Sequence, residues 1–327
     1  MKKTLIALAA IAAVGAASAQ VTVYGQLDVG INNTSAGGTV VGISGLQTSR
    51  FGVKAAQALG GVTVSAVLEG EIGAGTAVFK GFDRTAKIGI GGSFGTVTMG
   101  NQWTPFDNAV WTADSLEYSK FTPLAGMQAA WWYDVGNTGM GNAKNSLQYA
   151  TPDMNGFQAF VLVAPNVNAN TQGSTNYSGI GLNYSKGPLT INFATQSMDG
   201  SFKPASDGWV TPATKAAQVA TPTNNSNIIS VQYNLGMATI AGGLVNNDTG
   251  AGETDRGYIL GVKVPMGADS VSVGFSSNKN SVGGKDTTKG AWSAQYVKAI
   301  GKAAQAYFGI QSVDSVNKTG AGLRLNF

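Results

Sequence analysis

Val21, Val23, Leu27, Val29 and Ile31 fall on one side of a two-residue alternation, with Thr22, Tyr24, Gln26 and Asp28 on the other. At the opposite end of the chain Ala321, Leu323, Leu325 and Phe327 alternate with Gly322, Arg324 and Asn326. A period of two is the signature of strands with one apolar and one polar face. The same pattern sets Val62, Val64, Ala66, Leu68 and Ile72 against Thr63, Ser65, Glu69 and Glu71, and Phe51, Val53 and Ala55 against Arg50, Gly52 and Lys54. Further strands are expected through Ile259 to Val264, Val271 to Phe275, Trp292 to Val297 and Ala306 to Gln311. With weaker neighbours these make about 16 strands of ~10 residues, the length of a tilted strand that crosses a membrane. Terminal strands of this kind predict an all-β, antiparallel sheet closed by pairing its first strand to its last. Closure removes the open edges, which is the condition a bilayer imposes on β-structure.

The spacers support the same reading. Ala58-Leu59-Gly60-Gly61, Gly91-Gly92-Ser93-Phe94-Gly95, Ser185-Lys186-Gly187-Pro188, Leu235-Gly236-Met237, Pro265-Met266-Gly267-Ala268-Asp269 and Ala299-Ile300-Gly301-Lys302 are tight turn sequences. Longer polar stretches at 32–45, 167–176, 199–225 and 277–289 fall between them. Short and long connections in alternation suit a 16-stranded transmembrane β-barrel. One connection, 104–143, lacks alternation and carries Pro105, Phe106, Asp107, Trp111, Asp114, Glu117, Phe121 and Pro123. Such a segment is either a lid or a loop folded into the barrel, where its apolar residues would leave water.

Composition sharpens the picture. Only 12% of the 327 residues are charged, against ~25% in an ordinary soluble domain, and 46 are glycine. Lys2-Lys3, a short apolar run from Leu5 to Val14, and Ala17-Ser18-Ala19 read as a cleaved signal peptide over 1–19. Residues 20–327 then form the barrel domain. Removing Lys2 and Lys3 from 21 basic residues leaves 19 against 17 acidic, a net +2, so no nucleic-acid partner is expected.

Val23 to Asp28, Ser49 to Lys54, Gly92 to Gly100, Asn145-Ser146 with Tyr149, and the final Phe327 together resemble the general porins of Gram-negative outer membranes, in particular the neisserial and burkholderial type. The resemblance covers nearly all of residues 20–327. It implies a water-filled channel for passive diffusion of small hydrophilic solutes and ions, with the third loop folded into the lumen and acids on that loop facing a basic cluster on the wall. Carried over by position, the basic side comprises Arg50 and Arg84, with Lys54 and Lys144 as auxiliaries, and the acidic side comprises Asp107, Asp114 and Glu117. Leu116-Glu117-Tyr118 stands where the family has Pro-Glu-Phe. The resemblance also implies a homotrimer bathed in outer-membrane lipid and lipopolysaccharide, with Phe327 read by the barrel-assembly machinery. A weak anion preference follows if the two arginines dominate, since they stay charged on rigid strands.

Arg84 shares its alternation with Ala86, Ile88 and Ile90. A charge on the lipid face costs ~2–4 kcal/mol near the midplane. The expectation from the resemblance is therefore that this face points inward, Ala86, Ile88 and Ile90 packing under the third loop and Lys87 pointing out. Alternatives to the general channel are a substrate-specific channel and a surface-binding barrel of adhesin or receptor type. The chain has no His and no Cys, which removes a Ser-His triad, a thiol nucleophile and the usual Zn²⁺ ligand sets. No catalytic residue, cofactor or metal is therefore assigned. Asp248, Glu253 and Asp255 are read as solvated loop charges rather than a Ca²⁺ site, and Trp103, Trp111, Trp131, Trp132, Trp209 and Trp292 as girdle or loop-packing residues.

Overall fold

The computed structural model describes residues 20–127, 141–165, 176–199, 224–248 and 252–327. The leader expected at 1–19, Trp131, Trp132, Trp209 and most of the polar stretches at 167–176 and 199–225 lie outside the described residues. Sixteen strands form a closed antiparallel barrel. They are β1 (Gln20–Thr34), β3 (Arg50–Leu59), β4 (Val62–Gly73), β6 (Thr85–Gly92), β7 (Gly95–Trp103), β8 (Asn142–Ala150), β9 (Phe157–Ala164), β10 (Asn176–Lys186), β11 (Leu189–Asp199) and β12 (Asn224–Asn234). The ring continues through β13 (Thr239–Asp248), β14 (Glu253–Met266), β15 (Asp269–Val282), β16 (Lys285–Ile300), β17 (Ala304–Val313) and β18 (Val316–Asn326). Two short strands, β2 (Gly38–Ile43) and β5 (Val78–Phe79), belong to the connections after β1 and β4.

The two ends meet as their alternation requires. Gln26 to Thr34 pair with Asn326 to Lys318, while Gln20 to Gln26 pair with Ala56 to Arg50. Gly25 and Phe327 exchange both backbone hydrogen bonds at 2.9 and 3.0 Å, so the last residue seals the seam. At one end the connections are two- to six-residue turns, several held by left-handed glycines such as Gly60 (φ 55°) and Gly61 (φ 93°), a conformation that side chains resist. At the other end most are longer, but β17 and β18 are joined by Asp314 and Ser315 alone, and a second short turn lies between β15 and β16. The stretch 277–289, expected as a loop, is mostly strand: β15 and β16 run on to Val282 and from Lys285, leaving Gly283 and Gly284 as the turn. Apart from the buried Asn278, its polar residues are largely exposed on a ladder whose backbone groups pair with each other, so polarity there does not mark irregular chain.

Each strand carries an apolar exposed row. Leu182, Phe193, Ile229, Leu244 and Tyr258 are mutual neighbours across five strands, and Leu260, Phe275 and Trp292 form a parallel row. All eight side chains are between 38% and 62% exposed, which no water-facing surface of this extent would tolerate. The opposite face is crowded and largely polar. Buried Asp28, Gln196, Ser226, Asn247, Asp255, Ser276 and Gln295 all lie on it.

Ile88 and Ile90 are exposed members of the apolar row, in register with Ala66 and Val64, and Ile88 also neighbours the exposed Met99. Lys87 is in register with Val67, which also neighbours Lys54, so it takes the polar face. The expected inward packing of Ala86, Ile88 and Ile90 is therefore reversed. Arg84 escapes the alternation because it precedes β6. It sits in a bend before Thr85, its own N–H bonding the Glu69 carbonyl at 3.1 Å, so the strand's parity does not govern it.

Candidate functional site

The segment after β7 begins with helix α1 (Pro105–Ala113). Thr104 caps it by accepting from the Asp107 N–H at 3.1 Å, with Pro105 in the first turn and Asp107 placed where the helix dipole favours an acid. A short 3₁₀ turn, Pro123–Met127, follows. Phe106, Ala109, Val110, Ala113, Leu124 and Met127 pack in one buried cluster with Ala194, Ile228, Val245 and Ile259. Those strand residues lie on the face opposite the apolar row. The segment is also bonded to the sheet at points far apart in sequence: Asn192 Nδ2 donates to Thr112 Oγ1 at 2.7 Å, Ser115 Oγ to the Val273 carbonyl at 3.0 Å, and Gln311 Nε2 to the Thr122 carbonyl at 2.5 Å.

Glycines make room for this bed. A Cβ on Gly181 would come within 2.6 Å of Pro105, on Gly243 within 2.9 Å of Ala113, on Gly257 within 2.6 Å of Met127 and on Gly309 within 2.3 Å of Phe121. At Gly261 and Gly274 the intruded atoms would belong to Ser115 and Pro123. These glycines have ordinary strand backbones, so the need is closeness of approach rather than an unusual φ.

The three acids of the segment are each engaged, Asp107 and Asp114 within the segment and Glu117 with the wall. Asp107 accepts from the Tyr118 hydroxyl at 3.1 Å. Asp114 is 4% exposed and accepts from the Leu116 and Tyr118 N–H groups and the Thr122 hydroxyl, at 2.9, 2.8 and 2.6 Å. Burial pushes its carboxyl above the usual aspartate value, against the pull of those donors. Glu117 pairs with Lys263 at 2.5 Å. Glu117 and Tyr118 both have left-handed backbones, φ 55° and 57°, a strained pair for non-glycine residues.

On the wall, register places Tyr24, Gly52, Glu69 and Thr85 side by side, with Gln26, Arg50 and Glu71 one row away and Lys54 and Lys87 two residues along on the other side. Glu69 joins the two arginines: it pairs with Arg84 Nε at 2.8 Å and Arg50 Nε at 3.6 Å, and accepts from the Tyr24 hydroxyl at 2.9 Å. Arg84 lies 5.4 Å from the Trp103 ring centre and Lys54 4.4 Å from that of Tyr24, both within cation–π range. Arg50, Arg84 and Lys54 are thus brought together. Lys144 is exposed beside the left-handed Asn145 and makes no ion pair among the described residues.

Sequence reasoning missed the part of the site on the terminal strands, beside Arg50. Asp28 accepts from the Gly45, Leu46 and Gln47 N–H groups and from the Tyr307 hydroxyl, at 2.7 to 3.0 Å, drawing residues 45–47 against the wall. That turn then holds the tip of the third loop: Gln47 Nε2 donates to the Glu117 carbonyl at 2.7 Å, and the Lys120 N–H donates to the Gly45 carbonyl at 2.8 Å. Arg324 is bonded to Gln305, and Lys318 donates to the Lys120 carbonyl at 2.5 Å. Asp28 and Arg324 sit on the polar faces of the terminal strands, the signal that would have found them.

A closed β-barrel with an apolar exterior and a polar interior is a membrane protein of the channel class. The chain belongs to the Gram-negative porins, whose family model matches residues 4–318. Outer membrane porin protein 32 of Delftia acidovorans is 30% identical over 82% of this chain and 77% of its own. The major outer membrane protein P.IB of Neisseria gonorrhoeae is 30% identical over 59% of this chain and 56% of its own. Among solved structures, an anion-selective porin from Comamonas acidovorans superposes with a TM-score of 0.77 at 24% identity, covering 94% of this chain and all of that one. OmpT of Vibrio cholerae, solved in a trimer form, superposes with a TM-score of 0.76 at 18% identity over 95% of this chain. The protein is an outer-membrane channel for passive diffusion of small hydrophilic solutes.

Proposed function

We propose that this channel prefers anions weakly, that residues 104–127 fold into its lumen and set its narrowest section, and that it works without turnover as a homotrimer. One observation carries the selectivity. The carboxylates of Asp28, Asp107 and Asp114 are spent on N–H and hydroxyl donors, and Glu69 is shared between two arginines, leaving the wall group of Arg50, Arg84, Lys54 and Lys87 with a surplus of cations. Charge at a narrow, poorly screened passage sets ion preference. The apolar rows on the outer face support burial in lipid and against neighbouring subunits. The trimer form of the Vibrio protein supports three copies, as does the family likeness. In this reading 1–19 is a cleaved leader, and Phe327, locked to Gly25, is the segment offered to the assembly machinery.

Reversal potential in a KCl gradient across a planar bilayer tests the selectivity. Arg50→Ala with Arg84→Ala should move it towards cations, and an unchanged value would place the selective section elsewhere. Three-step closures of single assemblies, and an oligomer on unheated gels that collapses on boiling, are the results expected of a trimer. A surface-binding barrel would give no conductance steps.

A further inference from the structure

Arg256 on β14 and Lys279 on β15 stand directly opposite each other on the outer face of the barrel, both exposed. Tyr258 and Leu260 continue the Arg256 face of β14, and Phe275 continues the Lys279 face of β15, so the basic pair caps the apolar belt. It does so at the end where the longer connections lie, the outer side of a bacterial barrel. Like charges opposed across two strands destabilise a sheet, and in a chain with 12% charged residues such a pair calls for a counter-ion. The protein supplies little of one. Arg256 makes no side-chain hydrogen bond or ion pair among the described residues, and Asp248, diagonal to it on β13, makes no ion pair with it. Lys279 pairs with Asp286 at 2.6 Å, but both side chains are 52% exposed, and a pair so exposed is weak. Below the cations the surface suits an amphipathic molecule. The Tyr258 and Phe275 rings lie 6.0 Å apart, and Trp292 is the neighbour of Phe275 on β16. Aromatic rings at such a level mark the boundary between hydrocarbon and headgroups. Alongside Tyr258 on β15 and β16 stand Ser277 and Gly290, whose small size leaves a notch between the rings and Lys279. Asn246, exposed beside Arg256, adds an amide donor.

We propose that Arg256 and Lys279 bind the sugar-borne phosphate of an outer-leaflet glycolipid of the lipopolysaccharide kind. Its acyl chains lie along Tyr258, Phe275 and Trp292, and its sugar head rests over Ser277 and Gly290. The guanidinium fork of Arg256 grips two phosphate oxygens, and Lys279 exchanges the Asp286 carboxylate for a third. The ligand class follows from place and charge. A phosphate carries enough charge to answer both cations, the bordering belt requires that it be tied to acyl chains, and the outer end of the strands selects the leaflet. The surface lies outside the lumen, so the proposal goes beyond the channel's ion preference and does not depend on it.

The test titrates the detergent-solubilised full-length protein with fluorescent bisphosphorylated lipid A, with EDTA present to remove bridging metal ions. The wild type should bind it saturably, and lipid A stripped of both phosphates should bind about tenfold more weakly, the value of one charge-assisted contact. Arg256→Gln combined with Lys279→Gln should raise the half-saturating concentration by at least that factor. Arg256→Lys, which keeps the charge and loses the fork, should raise it by less. Asp286→Asn, which releases Lys279, should lower it. Equal binding of the phosphate-free lipid, or an unchanged half-saturation in the double variant, overturns the site. Phosphatidylglycerol bound as tightly as lipid A overturns the glycolipid assignment, since any anionic headgroup would then serve. The comparison of lipids on the wild type keeps the proposal open to refutation even where a variant fails to fold.

Discussion

At Glu69 one carboxylate serves Arg50, Arg84 and the Tyr24 hydroxyl, with its side chain only 12% exposed. Removing the charge takes from the two guanidinium groups the carboxylate they share. Glu69→Gln should therefore move the KCl reversal potential towards anions. It should also cost about 3 kcal/mol in urea unfolding, the scale of breaking a mostly buried ion pair. Asp114 behaves differently, since burial raises its folded-state pKa above the ordinary 3.8. A raised value means the fold favours the protonated carboxyl. That contribution is full below about pH 3.8 and is lost as pH rises through the elevated value. Asp114→Asn mimics the neutral form, so its thermal stability should vary less with pH than the wild type's from about pH 4 upward. Identical slopes in a melting series would remove Asp114 from the account.

The third-loop segment shows what an element gains from its bed. Its apolar residues were legible in the sequence as too costly for water, yet nothing in the alternation told a lid from a fold-in. In the proposed fold-in, glycines on β10, β13, β14, β15 and β17 let Pro105, Ala113, Met127, Ser115, Pro123 and Phe121 lie directly on the backbone. Gly309→Val should push Phe121 off its seat, at a cost of about 1–3 kcal/mol for overpacking. If the segment narrows the pore, single-channel conductance rises in this variant and larger polyethylene glycols enter. A conductance at or below the wild-type value would count against the segment as the constriction.

For the molecule as a whole, the apolar belt defines what the barrel is dissolved in. Leu260, 57% exposed in mid-strand between Gly242 and Phe275, lies in the middle of that belt. Ile300, 51% exposed, ends β16. Leu260→Arg should destabilise the barrel in lipid by about 2–4 kcal/mol, and Ile300→Arg by no more than about 1 kcal/mol, following depth in the hydrocarbon. Equal losses in urea unfolding from vesicles would misplace the membrane plane. The sequence alone determined most of the strands, the closure of first on last, the faces of the strands other than β6 and the lumenal parity of Glu69, Arg324 and Lys54. These follow from a two-residue period that pleat geometry imposes locally on every strand. The tertiary structure alone decided that Arg84 lies in a bend free of that parity, that Glu69 is shared, that Asp114 turns inward to its own loop, and that Glu117 meets Lys263, 146 residues away. Side chains from loops and bends carry no period, and their partners are set by which strands the closed ring brings around them.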